Sequence, residues 1–553
     1  MNTRDVVETP VWQLLQKGLA YNRQEGVFVD TDQNYRFYNG DQWDGVKLGG
    51  IQPVQINFIK PIVKYKCAVV HSNLYGVVYS SMNFENREFR PFAEGYCKLL
   101  NRHMARVWEL DKMDMKLRKV TKDAAINDEG IIWSRWDAEE KRPVHEVLKK
   151  NDVFYGNEND EDIQNQPYIL IRKRMSQISA VELAREEGLA ESKLELIIGD
   201  KDTMEESGDA AKREVDDCVT IVYKLYKVMG KIKYDIAARY VTIAQKVNTG
   251  LSLYPLAHMT WEEKEGSARG EGEVRNLIPN QIEVNKTEMR RVLTAKNQAY
   301  PFMVVDESKV KNPDQLYSVG GVIKTKDKTV DDVRKVVGRI EPAQMSPDVK
   351  MLLDDLVQIS RDLAGAGDAA TGQINPEDAS GKAILAVQNA SQAPMTEQKE
   401  NFKCFVEDIA KIDMDMYSAY SQEGMTVIYE AKDAQGQPVY QPVQISQVAL
   451  QALKLVVKID ITPKSAYDKF AQERTLENFL LSGMFSPQKL AEFKVYVNAL
   501  DDDAVAPKQK LLQIIADIEQ TQQKIAQMQA AGQLLQQQMM QALDRPMPQM
   551  ARR

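Results

Sequence analysis

Apolar and polar positions follow a helical period most clearly between residues 346 and 420. Ser346-Pro347-Asp348 is typical of a helix start, because it combines a hydroxyl cap, proline at the first helical position and an acid in the first turn. The apolar positions that follow have helical spacing and line one face: Val349, Leu352, Leu353, Leu356 and Leu363. This pattern predicts a helical rod over residues 346–363.

A glycine-rich break follows the rod. It begins at Ala364-Gly365-Ala366-Gly367 and extends to residue 379. Because glycine favours turns and is costly inside helices, we expect the helix to end here. Helical periodicity resumes near Ser380 and predicts a long helix over residues 380–420. A loop placed between two helices in this way suggests that the loop contacts something.

A second rod is predicted over residues 280–299, where Pro279 would start or kink the helix. Residues 261–272 before it are charged and rich in glycine, the composition of a hinge. At 1.5 Å per residue the two rods are roughly 30 Å and 27 Å long. We therefore expect them to lie side by side and antiparallel.

Residues 300–345, between the rods, read as a compact insert with short strands at 302–305 and 316–323. Acids nearly balance its dense basic residues, so a mixed-charge docking surface is favoured over a nucleic-acid patch. The candidate docking residues are Lys309, Lys311, Lys324, Lys326, Lys328, Arg334 and Lys335.

Alternating patterns elsewhere predict strands. Residues 219–228 and 231–241 form a predicted hairpin around Met229-Gly230, and residues 37–43 form a predicted aromatic turn around a glycine. The other predicted strands are 131–136, 168–171, 425–429, 439–443 and 455–461. A helical region begins near Ser465 and carries a heptad seam that needs partner helices: Leu511, Ile514, Ile518, Thr521, Ile525, Met528, Gly532, Leu535, Met539 and Ala542.

Composition limits the kinds of binding and chemistry that the chain can be expected to perform. The chain has 553 residues and a formal net charge of −8, so general adhesion to nucleic acid is not expected. The 4 cysteines and 4 histidines are scattered, which argues against disulfides, a metal site or a cofactor and fits a reducing cytoplasm. No apolar run is long enough to span a membrane.

No catalytic constellation is apparent. Ser380-Gly381-Lys382 resembles the end of a phosphate-binding loop, but Pro376 stands where the required glycine would be and no hydroxyl follows Lys382. Nucleophile-elbow and zinc-protease motifs are absent from the sequence. The sequence therefore predicts a protein that is not an enzyme.

The order of four segments resembles the portal proteins of tailed bacteriophages. Phe37-Tyr38-Asn39-Gly40-Asp41-Gln42-Trp43 and Asn57-Phe58-Ile59-Lys60-Pro61-Ile62-Val63 look like N-terminal segments of that family. Gly270-Glu271-Gly272-Glu273-Val274, leading into residues 277–286, is similar to the entry to its first stem helix. Asn375-Pro376-Glu377-Asp378-Ala379-Ser380-Gly381 looks like the end of its tunnel loop.

The resemblance implies an α+β portal fold with an α/β wing, a two-helix stem, a small α/β clip, a tunnel loop with a long wing helix, and an α-helical C-terminal crown and barrel. The implied domains are the wing (1–270 and 421–462), the stem (271–299 and 346–363), the clip (300–345), the tunnel loop (364–379), the long wing helix (380–420) and the crown and barrel (463–553).

The resemblance also implies a ring, usually of twelve copies, at one capsid vertex of the virion, assembled in the host cytoplasm. Such a ring conducts double-stranded DNA without sequence specificity during packaging and ejection. Its implied partners are the major capsid and scaffolding proteins, the terminase large subunit, and head-completion, adaptor or tail proteins. The implied DNA-facing residues are Gly365, Gly367, Asp368, Thr371, Gly372 and Gln373.

Two alternatives stay open at the level of sequence. One is another non-catalytic phage assembly protein, such as a scaffold or a tail adaptor, although scaffolds tend to be mostly helical. The other is a nucleotide-using enzyme with unfamiliar motifs.

Overall fold

A computed structural model describes most of the chain. The described residues are 7–47, 52–71, 74–81, 90–200, 217–299, 303–317, 322–326, 332, 334, 336–341, 344–366, 393–421, 424–432, 438–446, 455–462 and scattered positions between 476 and 529. The chain divides into two compact units. One comprises Met1–His71 with Tyr75–Asp460, and the other comprises Ser72–Leu74 with Ile461–Arg553.

The helices of the first unit are α1 (Pro10–Gln24), α2 (Val27–Asn39), α3 (Ile59–Val70), α4 (Arg90–Leu110), α5 (Met113–Asn127), α6 (Gln177–Glu186), α7 (Glu191–Leu194), α8 (Glu273–Ala299), α9 (Asp348–Leu363) and α10 (Thr396–Tyr420). The strands are β1 (Leu74–Ser81), β2 (Glu129–Asp137), β3 (Arg142–Leu148), β4 (Val153–Tyr155), β5 (Tyr168–Ser176), β6 (Cys218–Val228), β7 (Lys231–Ala237), β8 (Thr242–Asn248), β9 (Leu256–Thr260), β10 (Met303–Val305), β11 (Val337–Arg339), β12 (Met425–Lys432), β13 (Pro438–Ile445) and β14 (Leu455–Thr462).

Two antiparallel sheets organise the first unit. The larger has the order β4-β5-β6-β7-β8, and the smaller has the order β3-β2-β9. Helices α5 and α10 pack against β2 and β9, which places the main hydrophobic core between them. Helices and antiparallel sheets together confirm a mixed α+β fold.

The predicted strands at 131–136, 168–171, 219–228, 425–429, 439–443 and 455–461 all lie within observed strands. The hairpin around Met229-Gly230 is also confirmed, since Val228 pairs with Lys231 and both turn residues have positive φ angles of 51° and 75°. Two successive left-handed residues match the right-handed twist of the flanking strands.

The prediction of a turn over residues 37–43 is wrong in its first half. Phe37 and Tyr38 are buried in the last turn of α2, and the helix ends at Gly40, whose φ of 98° suits a glycine cap. Helix α2 has no clear signal in the sequence, because its apolar and polar residues are mixed without a clean stripe.

The hinge predicted over residues 261–272 is also wrong. Trp261 is fully buried, and a Cβ added at Gly270 would lie 2.4 Å from the carbonyl oxygen of Glu262. Gly270 and Gly272 serve close backbone packing, whereas Gly266 has a left-handed φ of 69° in an exposed turn. Helix α8 consequently begins at Glu273, earlier than the predicted residue 280, and Pro279 lies inside it.

Two further predictions need correction. The strand predicted at 316–323 is wrong at its start, because Pro313–Tyr317 forms a 3-10 helix. Proline at the first position with Asp314 behind it favours a helical turn. The helix predicted over 380–420 begins at Thr396 in the described residues, after a 3-10 turn at Ala393–Met395. Pro394 has no amide hydrogen and interrupts the helical hydrogen bonds.

The described residues of the second unit between 476 and 529 are helical, in agreement with the predicted terminal helices. Four apolar members of the predicted heptad seam lie among them and are exposed: Ile514, Ile518, Ile525 and Met528. The seam is thus not covered by the described part of its own chain.

Candidate functional site: the two-helix arm and its anchorage

Helices α8 and α9 form one structural segment together with the described residues within 303–341, which lie between them. We call this segment the arm. The two helices pack antiparallel, since Asn280 near the start of α8 donates from Nδ2 to Ser360 Oγ near the end of α9, 3.0 Å away. Ser346 Oγ accepts from the Asp348 amide at 3.3 Å, at the point where α9 begins. The predicted pairing of antiparallel rods is confirmed.

The first turn of α8 is held by a buried ion pair. Lys66 of α3 donates to the carboxylate of Glu273, and both side chains are almost fully buried. The indole nitrogen of Trp261 donates to the same carboxylate at 3.4 Å. A charge in such a place is tolerated only while it is paired and hydrogen-bonded, so this contact fixes where α8 begins.

Two amide side chains hold the next turns of α8. Gln281 accepts from the Phe58 amide at 3.1 Å and donates to the Ile56 carbonyl at 2.6 Å. Asn285 accepts from the Ile56 amide at 3.1 Å and donates to Gln42. The segments 37–43 and 57–63, which carry the N-terminal part of the resemblance, therefore converge on α8.

A second buried charge cluster lies beside the start of α8. Arg269 makes a two-pronged contact with Glu158, with both distances 3.0 Å, and also donates to Glu129. His258 contacts Glu129 at 2.8 Å. Burial alone would raise the pKa of Glu129, but the positive charge of Arg269 and the hydrogen bond from His258 outweigh it and hold that pKa at about 2.

Asp128 ties this cluster to the backbone that leads into α8. Its carboxylate pairs with Lys150 and accepts from the Gly272 amide at 2.8 Å. A Cβ at Gly272 would lie 2.9 Å from the Asp128 amide nitrogen, so only glycine fits there without a shift. No regular periodicity marks these residues, and sequence reasoning did not find the cluster.

A buried histidine fixes α10. In His145, Nδ1 lies 2.7 Å from Asp111 and Nε2 lies 2.9 Å from Asp413 of α10. Both ring nitrogens face carboxylate oxygens, so both carry protons. Burial alone would lower the pKa of His145, but the carboxylates of Asp413 and Asp111 raise it to about 9.

The outer half of α9 has no cover in the described part of its own chain. Leu353 and Ser360 are buried, whereas Leu352, Ile359 and Leu363 are 54%, 52% and 80% exposed. The three exposed residues are seven and four positions apart and fall along one line of the helix. The apolar face predicted from sequence is therefore wider than the part that packs within the chain.

The structure brings together four of the predicted docking lysines at the far end of the arm. The Lys311 amide donates to the Lys324 carbonyl and the Lys326 amide donates to the Lys309 carbonyl, both at 2.8 Å. These two segments thus pair around Val310, which is buried. Their basic side chains come from adjacent strands of backbone.

Acidic neighbours accompany these lysines, as the sequence suggested. Lys309 Nζ lies 3.0 Å from the Asp306 carboxylate. Arg334 belongs to the described residues, and its amide donates to Asp332 at 2.9 Å. Lys328 and Lys335 lie outside the described residues.

The end of α9 lies beside the approach to α10. Ala364 and Ala366 are buried, and a Cβ at Gly365 would lie 3.5 Å from the Pro394 Cβ. The described residues that flank 367–392 are therefore neighbours in space. The remaining predicted DNA-facing residues lie outside the described residues: Gly367, Asp368, Thr371, Gly372 and Gln373.

The described part of the chain has neither a metal-ligand cluster nor a membrane-spanning helix. Among the described residues, no three histidine, cysteine, aspartate or glutamate side chains are grouped so as to hold a metal ion. In the same part of the chain, the helices are too short or too polar to cross a membrane.

An anchored arm, an uncovered apolar helix face and an exposed heptad seam are features of a structural protein that assembles with other chains. A model of the phage P22-like portal protein family matches residues 245–552, more than half of the chain. The chain therefore belongs to this family of phage portal proteins, which is structural rather than enzymatic. No curated protein matches the chain.

Membership confirms the resemblance drawn from the sequence and makes the chain a capsid-associated component of the phage virion. Because the chain belongs to the portal family, we no longer interpret it as a scaffold or a tail adaptor.

Proposed function

We propose that the chain assembles head-to-tail into a ring of twelve copies at one capsid vertex, through which the genome is packaged and later ejected. The observation that carries this proposal is the exposed line of Leu352, Ile359 and Leu363 on α9. Contiguous apolar surface on a lone chain marks an interaction site. A head-to-tail contact that closes on itself makes a ring.

The heptad seam of the second unit supports the same proposal independently. Ile514, Ile518, Ile525 and Met528 are exposed at coiled-coil spacing, and such a seam is stable only when other helices cover it. Copies arranged around an axis would supply those helices.

The proposed domains follow the sequence boundaries. Residues 1–270 and 421–462 form the wing, 271–299 and 346–363 the stem, 300–345 the clip, 364–379 the tunnel loop, 380–420 the wing segment that contains α10, and 463–553 the crown and barrel. The antiparallel pairing of α8 and α9 supports the stem, and the neighbouring positions of Gly365 and Pro394 support a loop that leaves and returns at one point.

The tunnel loop is proposed to face the DNA without anchoring it. A net charge of −8 fits a conduit, because each cationic contact with a phosphate would add salt-sensitive drag. Deleting residues 365–373 should leave ring assembly intact and impair DNA packaging or retention. Normal packaging by the deletion variant would contradict this role.

The clip is proposed to dock the terminase large subunit and later the head-completion or tail proteins. Four lysines on paired backbone segments, with acids beside them, present a mixed-charge surface of the kind that sets specificity. Replacing Lys324, Lys326 and Lys328 by glutamate should weaken terminase binding in a pull-down more than it weakens ring formation. Unchanged binding would count against the clip as the docking site.

The ring is tested by making Leu352→Gln, Ile359→Gln and Leu363→Gln together. We expect the variant to remain folded by circular dichroism but to sediment as smaller species, because the apolar contact between copies is lost. Lys350→Gln, Asp354→Gln and Asp355→Gln on the same helix are the matched control and should still form rings. Normal rings from the first variant, seen by electron microscopy, would refute the proposed interface, and a wild-type chain that stays monomeric would refute the ring.

A further inference from the structure

The tip of the β6–β7 hairpin carries an apolar side chain that its own chain does not use. Met229 is 100% exposed and has a left-handed φ of 51°, followed by Gly230 at 75°. A two-residue turn of this kind favours asparagine or aspartate before glycine, and other side chains are strained there. Neither packing nor turn geometry accounts for methionine at this position.

Two lysines flank the tip. Lys227 and Lys231 flank Met229, and their ammonium groups donate to the carbonyls of Gln164 at 3.1 Å and Gly250 at 2.7 Å. These hydrogen bonds hold both ammonium groups against the carbonyls of the neighbouring loops. Strands β6 to β8 carry further lysines and a single acid, Asp235, although the whole chain is acidic. The hairpin is thus a basic projection with an apolar end.

A groove of complementary character lies where α4 meets α5. It has a volume of about 330 Å³, and Val77, Met104, Trp108 and Met113 form its apolar lining. Ala105 is exposed at its edge. Methionine suits such a site, since its thioether is flexible and packs favourably against an aromatic ring. The Trp108 indole nitrogen is already bonded to Asp413 at 3.1 Å, which fixes the ring.

Acids stand at the edge of this groove. Glu109 and Asp114 line it and are exposed, and neither carboxylate has a side-chain ion pair or hydrogen bond within the described part of the chain. Lys112 is the one cation that lines the groove in that same part. Leu110 and Met115 are exposed beside it, which extends the apolar surface.

We propose that Met229 of one copy inserts into the groove at the α4–α5 junction of the next copy. The second copy is the occupant because the two surfaces differ and match: a basic projection with an apolar tip, and an apolar groove with acids at its edge. The groove contains no residue of the hairpin from its own chain. Two different matching surfaces are what a head-to-tail ring requires, so this contact rests on the proposed ring.

Cysteine cross-linking tests the contact in the full chain. In a Cys404→Ser background, which removes an exposed native thiol, Met229→Cys and Ala105→Cys chains with different tags are assembled together and oxidised. We expect covalent dimers that carry both tags. Val29→Cys replaces Met229→Cys in the control, because Val29 is also exposed, and should give no such dimer.

Each result decides the proposal. Rings without mixed-tag dimers would refute the hairpin contact and leave the ring itself standing, which points to another partner for the tip. Failure of the wild-type chain to form rings would refute both. Mixed-tag dimers in ring fractions would confirm the contact.

Met229→Asn gives a second measurement. Its result would not change if Met229 had only a structural role within its own chain. Asparagine suits a left-handed turn, so the isolated chain should be at least as stable as the wild type. Loss of a buried anchor should nevertheless weaken association between copies by about tenfold or more, measured by sedimentation at several concentrations. Unchanged association would overturn the proposal.

Discussion

The two helices of the arm differ in what their side chains meet. At the base of α8, Lys66 and Glu273 are buried together and Gln281 has both amide atoms bonded. On α9, Leu352 and Leu363 are exposed although they are apolar. Helix α8 is therefore fixed by contacts inside its own chain, whereas α9 keeps an apolar face that the described part of its own chain leaves exposed.

The interactions made by the two helices also differ in their energetics. A buried ion pair adds little net stability, because desolvation offsets the attraction, but breaking it leaves an isolated charge. Apolar contact has no such requirement and grows with the area covered. The base of α8 therefore sets the direction of that helix, and the exposed face of α9 is the surface that we propose contributes association energy. Four measurements would break or sharpen this contrast, from the largest expected effect to the smallest.

Lys66→Met should have the largest effect. It leaves Glu273 buried with only the Trp261 indole as a donor, and such a loss costs about 3–5 kcal/mol of unfolding free energy. Denaturant unfolding measures it. Adding Glu273→Leu to Lys66→Met should recover most of the loss, since the isolated charge disappears. No loss from Lys66→Met would mean that the base of α8 is not fixed by charge pairing.

The His145 clamp on α10 should appear in the pH dependence of stability. Its folded pKa of about 9 lies above the unfolded value of 6.5, so its stabilisation is complete below about pH 6.5 and is lost as pH rises through 9. The loss should be on the order of 3 kcal/mol, at 1.36 kcal/mol for each pKa unit. His145→Gln should flatten this part of the unfolding profile. An unchanged profile in the variant would exclude a protonated His145.

Gly272→Ala tests the tight backbone at the entry to α8. The added Cβ meets the Asp128 amide, and strain of this kind costs about 1–3 kcal/mol. Gly95→Ala is the matched control, because its Cβ meets nothing within 4 Å and alanine is the better helix former in α4, by about 0.5–1 kcal/mol. Equal thermal shifts for the two variants would contradict the close packing.

Leu363→Gln should have the smallest effect on the isolated chain. The side chain is 80% exposed, so the unfolding free energy should change by less than about 0.5 kcal/mol at protein concentrations too low for assembly. A large loss under those conditions would mean that Leu363 packs within its own chain, and the contrast between α8 and α9 would fail.

Local patterns predicted much of this fold. The β6–β7 hairpin and the β12–β13 hairpin follow from alternation and turn residues close in sequence. Periodicity could not predict the entry to α8, because Glu129 and Arg269, which lie beside it, are 140 positions apart and neither has a periodic signal. Only the family resemblance placed this entry, at residues 270–274. Composition suggested a hinge over residues 261–272, whereas Trp261 at its start and Ala268 and Arg269 near its end are buried.

The candidate site was likewise predictable only in part. The cluster of Lys309, Lys311, Lys324 and Lys326 was predicted as a set, and backbone pairing brings them together. The apolar face of α9 was also predicted, but its division into covered and uncovered halves depends on the position of α8. Pro394 is a sequence signal against a continuous helix over 380–420, because proline lacks the amide hydrogen that a helix interior requires.

The neighbouring positions of Gly365 and Pro394 have an evolutionary consequence. Because the two residues that flank the intervening stretch are neighbours in space, insertions or deletions in it need not displace either helix. Doubling the length of the stretch would cost only about 0.6 kcal/mol in loop-closure entropy. Relatives could thus diverge in the size of this stretch while keeping the same scaffold beneath it.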